Sequence, residues 1–220
     1  MKLTTFIRQV FEILFDAIMP PRARSARTKT RTSADIPLEP TEHELLGAKI
    51  TTLMDYRKGE VQDLIRALKY DASPHAAAIA AELFADYLRE EIASLKLFSQ
   101  KPVLLVPLPL HKSRERERGY NQIALVVKAL PREFKDGTLA YYAPQALERT
   151  KATPTQTKLS RKDRIENVAG AFAVPESSSV KNTHIFLIDD ITTTGATLLH
   201  AGKPLKKSGA EITLLALARA

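Results

Sequence analysis

Four apolar residues, Ile185-Phe186-Leu187-Ile188, lead straight into two acids, Asp189-Asp190, and then into Ile191-Thr192-Thr193-Thr194-Gly195-Ala196-Thr197. A strand with no polar alternation has both faces buried, which happens where helices cover both sides of a parallel sheet. The acids then arrive at the carboxyl edge of that sheet, where open α/β sheets bind ligands. The Thr- and Gly-rich turn runs into a helical stretch over Ala196–Leu205. Helix N-termini offer free backbone N–H groups and a positive partial charge, a fit for a phosphate monoester. Two adjacent ionised carboxylates can accept hydrogen bonds from a sugar diol. Neither GxGxxG nor GxxxxGK[ST] occurs, so dinucleotide and nucleoside-triphosphate loops lose support.

The rest of the chain agrees with such a sheet. Short apolar strands are expected at Val103–Val106, Leu139–Tyr142, Gly170–Val174 and Ile212–Leu217, with a helix face at Ile123, Val126, Val127 and Leu130 between them. Ile50–Tyr56 reads as a further strand, Val61–Tyr70 as a helix, and Pro74 opens another over Ala76–Leu97. The fold class is α/β, a mostly parallel sheet flanked by helices. Before it stands a small helical extension. Leu3, Phe6, Ile7, Val10, Phe11, Leu14 and Ile18 form one helical face, Arg8, Glu12 and Asp16 the other, and Pro20-Pro21 ends it. Those charges also interrupt any signal-peptide core. Residues 20–47 are polar and without periodicity, so a loop is expected there. The division is residues 1–48 as helix and linker and 49–220 as the α/β domain.

Charge is uneven. The net charge is +8, but two stretches hold more than that between them. Residues 22–31 carry Arg22, Arg24, Arg27, Lys29 and Arg31 with no acid. Residues 149–164 carry Arg149, Lys151, Lys158, Arg161, Lys162 and Arg164 against Asp163 alone. Local basicity points to anion sites or solvated arms. The first stretch reads either as an anion-binding arm or as a solvated linker. Within the second, residues 149–158, with Pro154 and no apolar periodicity, read as a mobile loop. Cysteine is absent, which removes disulfides, thiol catalysis and thiolate zinc sites and suits a cytoplasmic protein. No stretch reaches about 18 apolar residues, so no membrane span is expected. His43, His75, His184 and His200 show no metal-ligand spacing.

The segment 185–197 resembles the phosphoribosyl pyrophosphate-binding motif of type I phosphoribosyltransferases. That resemblance implies that Asp189 and Asp190 contact the ribose hydroxyls, and that Thr192, Thr193, Thr194, Gly195, Ala196 and Thr197 hold the 5′-phosphate. Two further segments resemble the ComF family of competence-associated proteins, which carry a phosphoribosyltransferase domain. One is Val106-Pro107-Leu108-Pro109-Leu110-His111 with Arg114, Arg116 and Arg118-Gly119-Tyr120-Asn121-Gln122. The other is Arg149-Thr150, Thr153, Gln156, Leu159-Ser160, Arg164, Asn167-Val168, Gly170 and Phe172. The resemblance extends to Tyr56, Gly59, Leu64-Ile65 and Leu68-Lys69-Tyr70.

By the same resemblance Leu108, Pro109, Leu110 and His111 form the pyrophosphate loop, often built on a cis peptide in that superfamily, with Arg118 beside it. His111 is open to three readings: proton donor, phosphate ligand or turn residue. The Arg/Glu alternation over 114–118 also fits a solvated helix face. Arg149, Lys151, Gln156 and Arg164 belong to a lid that would close over the site and exclude water. Ser160 followed by Asp163 reads as a helix cap. The implied chemistry is displacement of pyrophosphate from phosphoribosyl pyrophosphate by an unidentified acceptor, with inversion at the anomeric carbon. Mg²⁺ would bind through the substrate's oxygens, with no metal site from the protein. The alternative is a binding module without turnover, for a nucleotide or for single-stranded DNA, acting with DNA-uptake proteins. ComF proteins typically begin with a cysteine-based zinc module. Here Ala23 and Ala26 stand at that spacing without thiols, so no zinc is expected.

Overall fold

A computed structural model describes residues 27–151 and 169–220. The expected N-terminal helix, Ala23 and Ala26, Gln156, the Ser160–Asp163 cap and Arg164 lie outside the described residues.

A sheet of six strands forms the centre. In chain order these are β1 (Thr41–Leu45), β2 (Ala48–Asp55), β3 (Val103–Pro107), β4 (Tyr141–Tyr142), β7 (His184–Thr192) and β8 (Glu211–Arg219). Their spatial order is β1-β2-β8-β7-β3-β4. The β1–β2 hairpin is antiparallel and every other pairing is parallel. Two further strands, β5 (Glu148–Arg149) and β6 (Phe172–Ala173), pair antiparallel to each other apart from this sheet. The helices are α1 (Gly59–Asp71), α2 (Pro74–Lys96), α3 (Lys112–Arg118), α4 (Gln122–Ala129) and α5 (Ala196–Lys207).

Strand β7 is buried on both faces, as its unbroken apolar run requires. Phe186 and Ile188 join one core with α1, α2 and α4. Ile185 and Leu187 join another with Leu198, Ala201 and Leu205 of α5. Helix α2 begins where Pro74 follows Ser73, whose hydroxyl accepts from the Ala76 N–H at 3.2 Å. Proline at the first turn sacrifices no helical hydrogen bond. Helix α1 ends on Ala72 in the left-handed region, and the Ala72 N–H donates to the Tyr120 hydroxyl at 3.1 Å.

Two expectations need correction. The stretch 20–47 is not all loop, because Thr41–Leu45 pairs with Ala48–Thr52 as the edge strand. Its polar side chains line an edge strand that is mostly exposed, so no apolar alternation marks it. The strand around 139–142 shrinks to Tyr141–Tyr142, and that around 170–174 to Phe172–Ala173, outside the main sheet. At the described end of the first basic stretch, Arg27 and Lys29 are exposed and Arg31 half-buried. Arg27 and Arg31 each donate to Asp63 of α1, to separate carboxylate oxygens at 3.0 Å. Asp63 is buried, and Thr28 is buried beside this clamp. His75 Nε2 lies 2.9 Å from the Arg31 carbonyl oxygen. These bonds fasten the segment to the body while the Arg27 side chain stays 62% exposed. Among the described residues, no helix is long and apolar enough to cross a membrane.

Removing the carboxylate deletes two charge-assisted hydrogen bonds from a buried position. Asp63→Ala is therefore expected to lower unfolding free energy by about 1–3 kcal/mol in urea denaturation. It should also speed proteolytic cleavage within residues 27–36.

Candidate functional site

The sheet's connectivity selects one crevice. From β3 the chain passes through α3 and α4 to β4, on one side. From β7 it passes through α5 to β8, on the other. Helix α4 packs into the first core and α5 into the second, on opposite faces. The chain thus diverges between β3 and β7, leaving a gap at their carboxyl ends, the usual ligand position in open α/β sheets. Pairing of β3 with β7 ends at Pro107 and Ile188, with a last bond from the Leu108 N–H to the Ile188 carbonyl at 2.7 Å. From Asp189 onward β7 is bonded only on its β8 side, through Thr192 opposite Arg219. The Asp189-Asp190 pair and the loop Leu108–His111 therefore face each other across the gap.

The two aspartates differ. Asp190 is buried and fully engaged. Its Oδ1 accepts from the Ile191 N–H at 2.9 Å and its Oδ2 from the Gln122 amide at 2.9 Å. Gln122 in turn accepts at its Oε1 from Arg118 at 2.8 Å. Asp189 is only partly covered, and its Oδ1 accepts from the Asp190 N–H at 2.8 Å. Burial, then the neighbouring Asp190 charge, pushes the Asp189 carboxyl well above the usual carboxylate range, with Lys69 of α1 opposing. Two adjacent carboxylates in a desolvated place cannot both ionise cheaply.

The loop after β3 is anchored by Asn121, whose side-chain amide donates to the Leu108 carbonyl at 2.9 Å. The same side chain's oxygen caps α4, accepting from the Ile123 and Ala124 N–H groups. All described peptide bonds are trans, including those of 108–111, where the resemblance implied a cis bond. His111 caps α3, its Nδ1 accepting from the Ser113 N–H at 3.2 Å and lying 2.7 Å from the Ser113 hydroxyl. No residue of α3 is buried.

Arg149 enters from the β5–β6 pair. Its guanidinium lies 5.4 Å from the centre of the Phe172 ring. Burial and repulsion from Arg114 weaken its hold on its proton, while attraction to Asp189 strengthens it. Those interactions bring Arg114, Arg149 and Asp189 into one electrostatic neighbourhood. A cavity of about 540 Å³ opens beside it, walled by Pro107, Pro109, Leu110, Lys112, Asn121, Lys128, Tyr142 and Arg149 among others. Its wall mixes the cations Lys112, Lys128 and Arg149 with the acids Glu115 and Glu148. Lys151 is exposed near Gly170 rather than in this wall.

The turn after β7 completes the arrangement. Thr192 is buried, Thr193 exposed, and Thr194 and Thr197 half-buried. The Thr194 hydroxyl accepts from the Ala196 N–H at 3.4 Å. Gly195 has φ +76°, and a Cβ there would lie 2.5 Å from Ile50 Cδ1 and 2.9 Å from Leu45 Cβ. Glycine is required by backbone hand and by packing against the β1–β2 hairpin.

Gln122, Asn121 and Lys69 carry parts of the site that no sequence-based role assigned to them. A signal for Gln122 was present: an amide in the first turn of an apolar helix, four residues after Arg118. Among the described residues, no group of three or more His, Asp or Glu side chains is placed to hold a metal ion.

Two outcomes test these electrostatics. Asp189→Asn removes an acid whose charged form the fold disfavours. Because the folded-state pKa is raised, the penalty is absent at pH below the unfolded value and grows as pH rises toward the folded value. Asp189→Asn is therefore expected to melt above wild type at pH 8 and with it below pH 3. Each kcal/mol relieved raises Tm by about 2–4 °C in a chain of this size. Gln122→Met keeps the volume but leaves Asp190 Oδ2 without its buried donor, and should cost about 1–3 kcal/mol in chemical denaturation.

No family model matches the chain. Competence protein F of Haemophilus influenzae is 38% identical over 121 residues, covering 54% of this chain and 51% of that protein. DNA utilization protein YhgH of Escherichia coli K12 is 31% identical over 163 residues, covering 74% of this chain and 67% of that protein. Competence protein ComFC of Bacillus subtilis is 33% identical over 114 residues, covering 52% and 42%. The matched stretch thus spans about half the length of the first of these relatives. Among solved structures, a hypoxanthine phosphoribosyltransferase of Staphylococcus aureus matches with TM-score 0.34 and 19% identity, covering 63% of this chain and 64% of that one. An adenine phosphoribosyltransferase of Saccharomyces cerevisiae matches with TM-score 0.36 and 12% identity, covering 86% and 88%. Likenesses this distant carry no weight for function.

Proposed function

The chain belongs to the ComF family of competence-associated proteins, and on that footing we propose that it binds phosphoribosyl pyrophosphate in the β3–β7 crevice and transfers the phosphoribosyl group to an acceptor. One observation carries this reading: the chain diverges at that crevice, and its two lips bear a diacid and a cavity lined in part by Lys112 and Arg149.

Each lip has a task. Asp190, fixed by Gln122 and the Ile191 N–H, presents a carboxylate of set orientation to the ribose hydroxyls. Asp189 beside it serves the second hydroxyl, and its raised pKa lets it donate or accept there. The turn 192–197 and the first N–H groups of α5 hold the 5′-phosphate. Leu108–His111, Lys112, Arg114 and Arg149 surround the leaving pyrophosphate. Charge develops on that group as the glycosidic bond breaks, so preorganised cations there lower the barrier. Lys151, Gln156 and Arg164 remain the proposed lid. Mg²⁺, arriving on the substrate's oxygens, would neutralise further pyrophosphate charge. The residues fit that mode of delivery, since Asp190 is committed to hydrogen bonds and the described residues bring no third acid to the pair.

The names of these relatives join competence and DNA utilization, so a role in handling DNA or its nucleotides is the proposed setting. The exposed helix α3, with Lys112, Arg114, Arg116 and Arg118, favours a second reading, binding of single-stranded DNA or nucleotide without turnover. Calorimetry with phosphoribosyl pyrophosphate and Mg²⁺ separates the readings when followed by pyrophosphate-release assays over a panel of nitrogen acceptors. Saturable binding is expected, weakened about tenfold to a hundredfold by Asp190→Ala, the loss of charge-assisted bonds worth about 1.5–3 kcal/mol. Equal binding by Asp190→Ala and wild type would remove the site assignment. Binding with no release for any acceptor would leave the non-catalytic module.

A further inference from the structure

Arg118-Gly119-Tyr120-Asn121-Gln122 joins α3 to α4, and its side chains leave in different directions. Gly119, at φ +80°, takes the left-handed conformation that ends α3, and its N–H donates to the Glu115 carbonyl at 2.7 Å. Arg118 and Gln122 are therefore four residues apart without sharing a helix. The Tyr120 hydroxyl reaches back to the end of α1. The Asn121 amide grips the Leu108 carbonyl in the loop after β3, and the Gln122 amide grips Asp190 Oδ2 on β7, each at 2.9 Å. Consecutive residues thus hold the two lips of the crevice.

A side-chain amide does not fix its own grip. Its two ends are close in shape, one a donor and one an acceptor. Turned over, Gln122 would set its oxygen against the Asp190 carboxylate and repel it. Arg118 removes that choice. Its Nη1 donates to Gln122 Oε1 at 2.8 Å, and a guanidinium has no acceptor to offer the other end. The amide nitrogen is left to face Asp190. Gln122 and Asp190 are both buried, so water is a poor substitute for either partner. Among the described residues Arg118 has no carboxylate within ion-pair distance. It is half-buried, whereas Lys112 and Arg116 of the same helix are exposed. A cation turned inward onto a neutral amide polarises it and strengthens the N–H that Asp190 accepts. The other lip is held by the same logic without a charge. Asn121 Oδ1 is committed to the Ile123 and Ala124 N–H groups, which leaves its nitrogen for Leu108.

We propose that Arg118, acting through Gln122, is a positioning residue for the ribose-binding Asp190, while Asn121 positions the pyrophosphate loop, so that one turn of chain sets the two subsites separately. Arg118 then serves the ribose side of the site, although it follows the pyrophosphate loop in sequence. Asp189 gains from this arrangement only indirectly, since its Oδ1 accepts from the Asp190 N–H. The inference rests on the β3–β7 crevice holding phosphoribosyl pyrophosphate.

Calorimetry on the full chain, with ribose 5-phosphate and separately with magnesium pyrophosphate, tests it. Arg118→Met should weaken ribose 5-phosphate about tenfold and pyrophosphate less than about twofold. Arg118→Lys keeps a donor for Gln122 Oε1 and should recover most of the loss. Asn121→Asp keeps the helix cap but has no N–H for Leu108, and should give the opposite pattern. On a Gln122→Met background, Arg118→Met should change nothing further, because the relay is already cut. In wild type, the Gln122 side-chain amide resonances should move with ribose 5-phosphate and not with pyrophosphate, a readout that needs no variant. Loss of pyrophosphate binding by Arg118→Met with ribose 5-phosphate intact would make Arg118 a direct pyrophosphate ligand and overturn the proposal. Equal weakening of both ligands, the mark of a merely structural role, also overturns it. Failure of both ligands to bind wild type overturns the crevice reading, and this inference with it.

Discussion

Everything in this molecule is arranged around a strand that water cannot reach. Strand β7 has its apolar residues buried on alternating faces, so each face must be covered, and α4 and α5 cover it from opposite sides. Two helices on opposite faces require the chain to leave β3 and β7 in opposite directions. The gap between those strands is therefore a consequence of burying Ile185–Ile188. Once it exists, whatever follows Ile188 in sequence occupies it. The aspartates stand there because they are the next two residues.

That placement creates a conflict which the fold only partly resolves. Two carboxylates on successive residues sit where solvent is partly excluded. Asp190 is satisfied by Gln122 and a backbone N–H, and the Gln122 amide is itself braced by Arg118. Asp189 has fewer donors, and its charge is resisted by burial and by its neighbour. Lys69 and Arg149 relieve this from a distance. A ligand that brings hydroxyl donors to both acids would resolve it directly. Sites that bind such groups hold their residues in environments the isolated fold would not choose.

The legible parts of this architecture are those where periodicity or a local motif states the answer. Helix α2 shows its proline and serine at the start, and α5 its glycine. The motif 185–197 reads as strand, acids and turn because all three are contiguous. Illegible parts depend on partners far away in the chain. Thr41–Leu45 becomes a strand only because β2 offers an edge. Gln122 matters because of Asp190, 68 residues on. Arg27 and Arg31 looked like surplus charge, and only α1 shows them spent on a buried aspartate. His111 follows a strand end in the expected loop, yet it caps the helix that starts there.

The clamp on Asp63 also bears on how the N-terminal segment communicates with the crevice. Asp63 and Lys69 lie on the same helix, six residues apart, and α1 packs in the core that holds Phe186 and Ile188. Arg27 and Arg31 pull on one end of α1, while Lys69 near its other end faces Asp189 electrostatically. The last turn of α1 is held in addition by the Tyr120 hydroxyl, just before Asn121 and Gln122. Helix α1 thus spans from the N-terminal segment to the neighbourhood of the crevice through close-packed contacts.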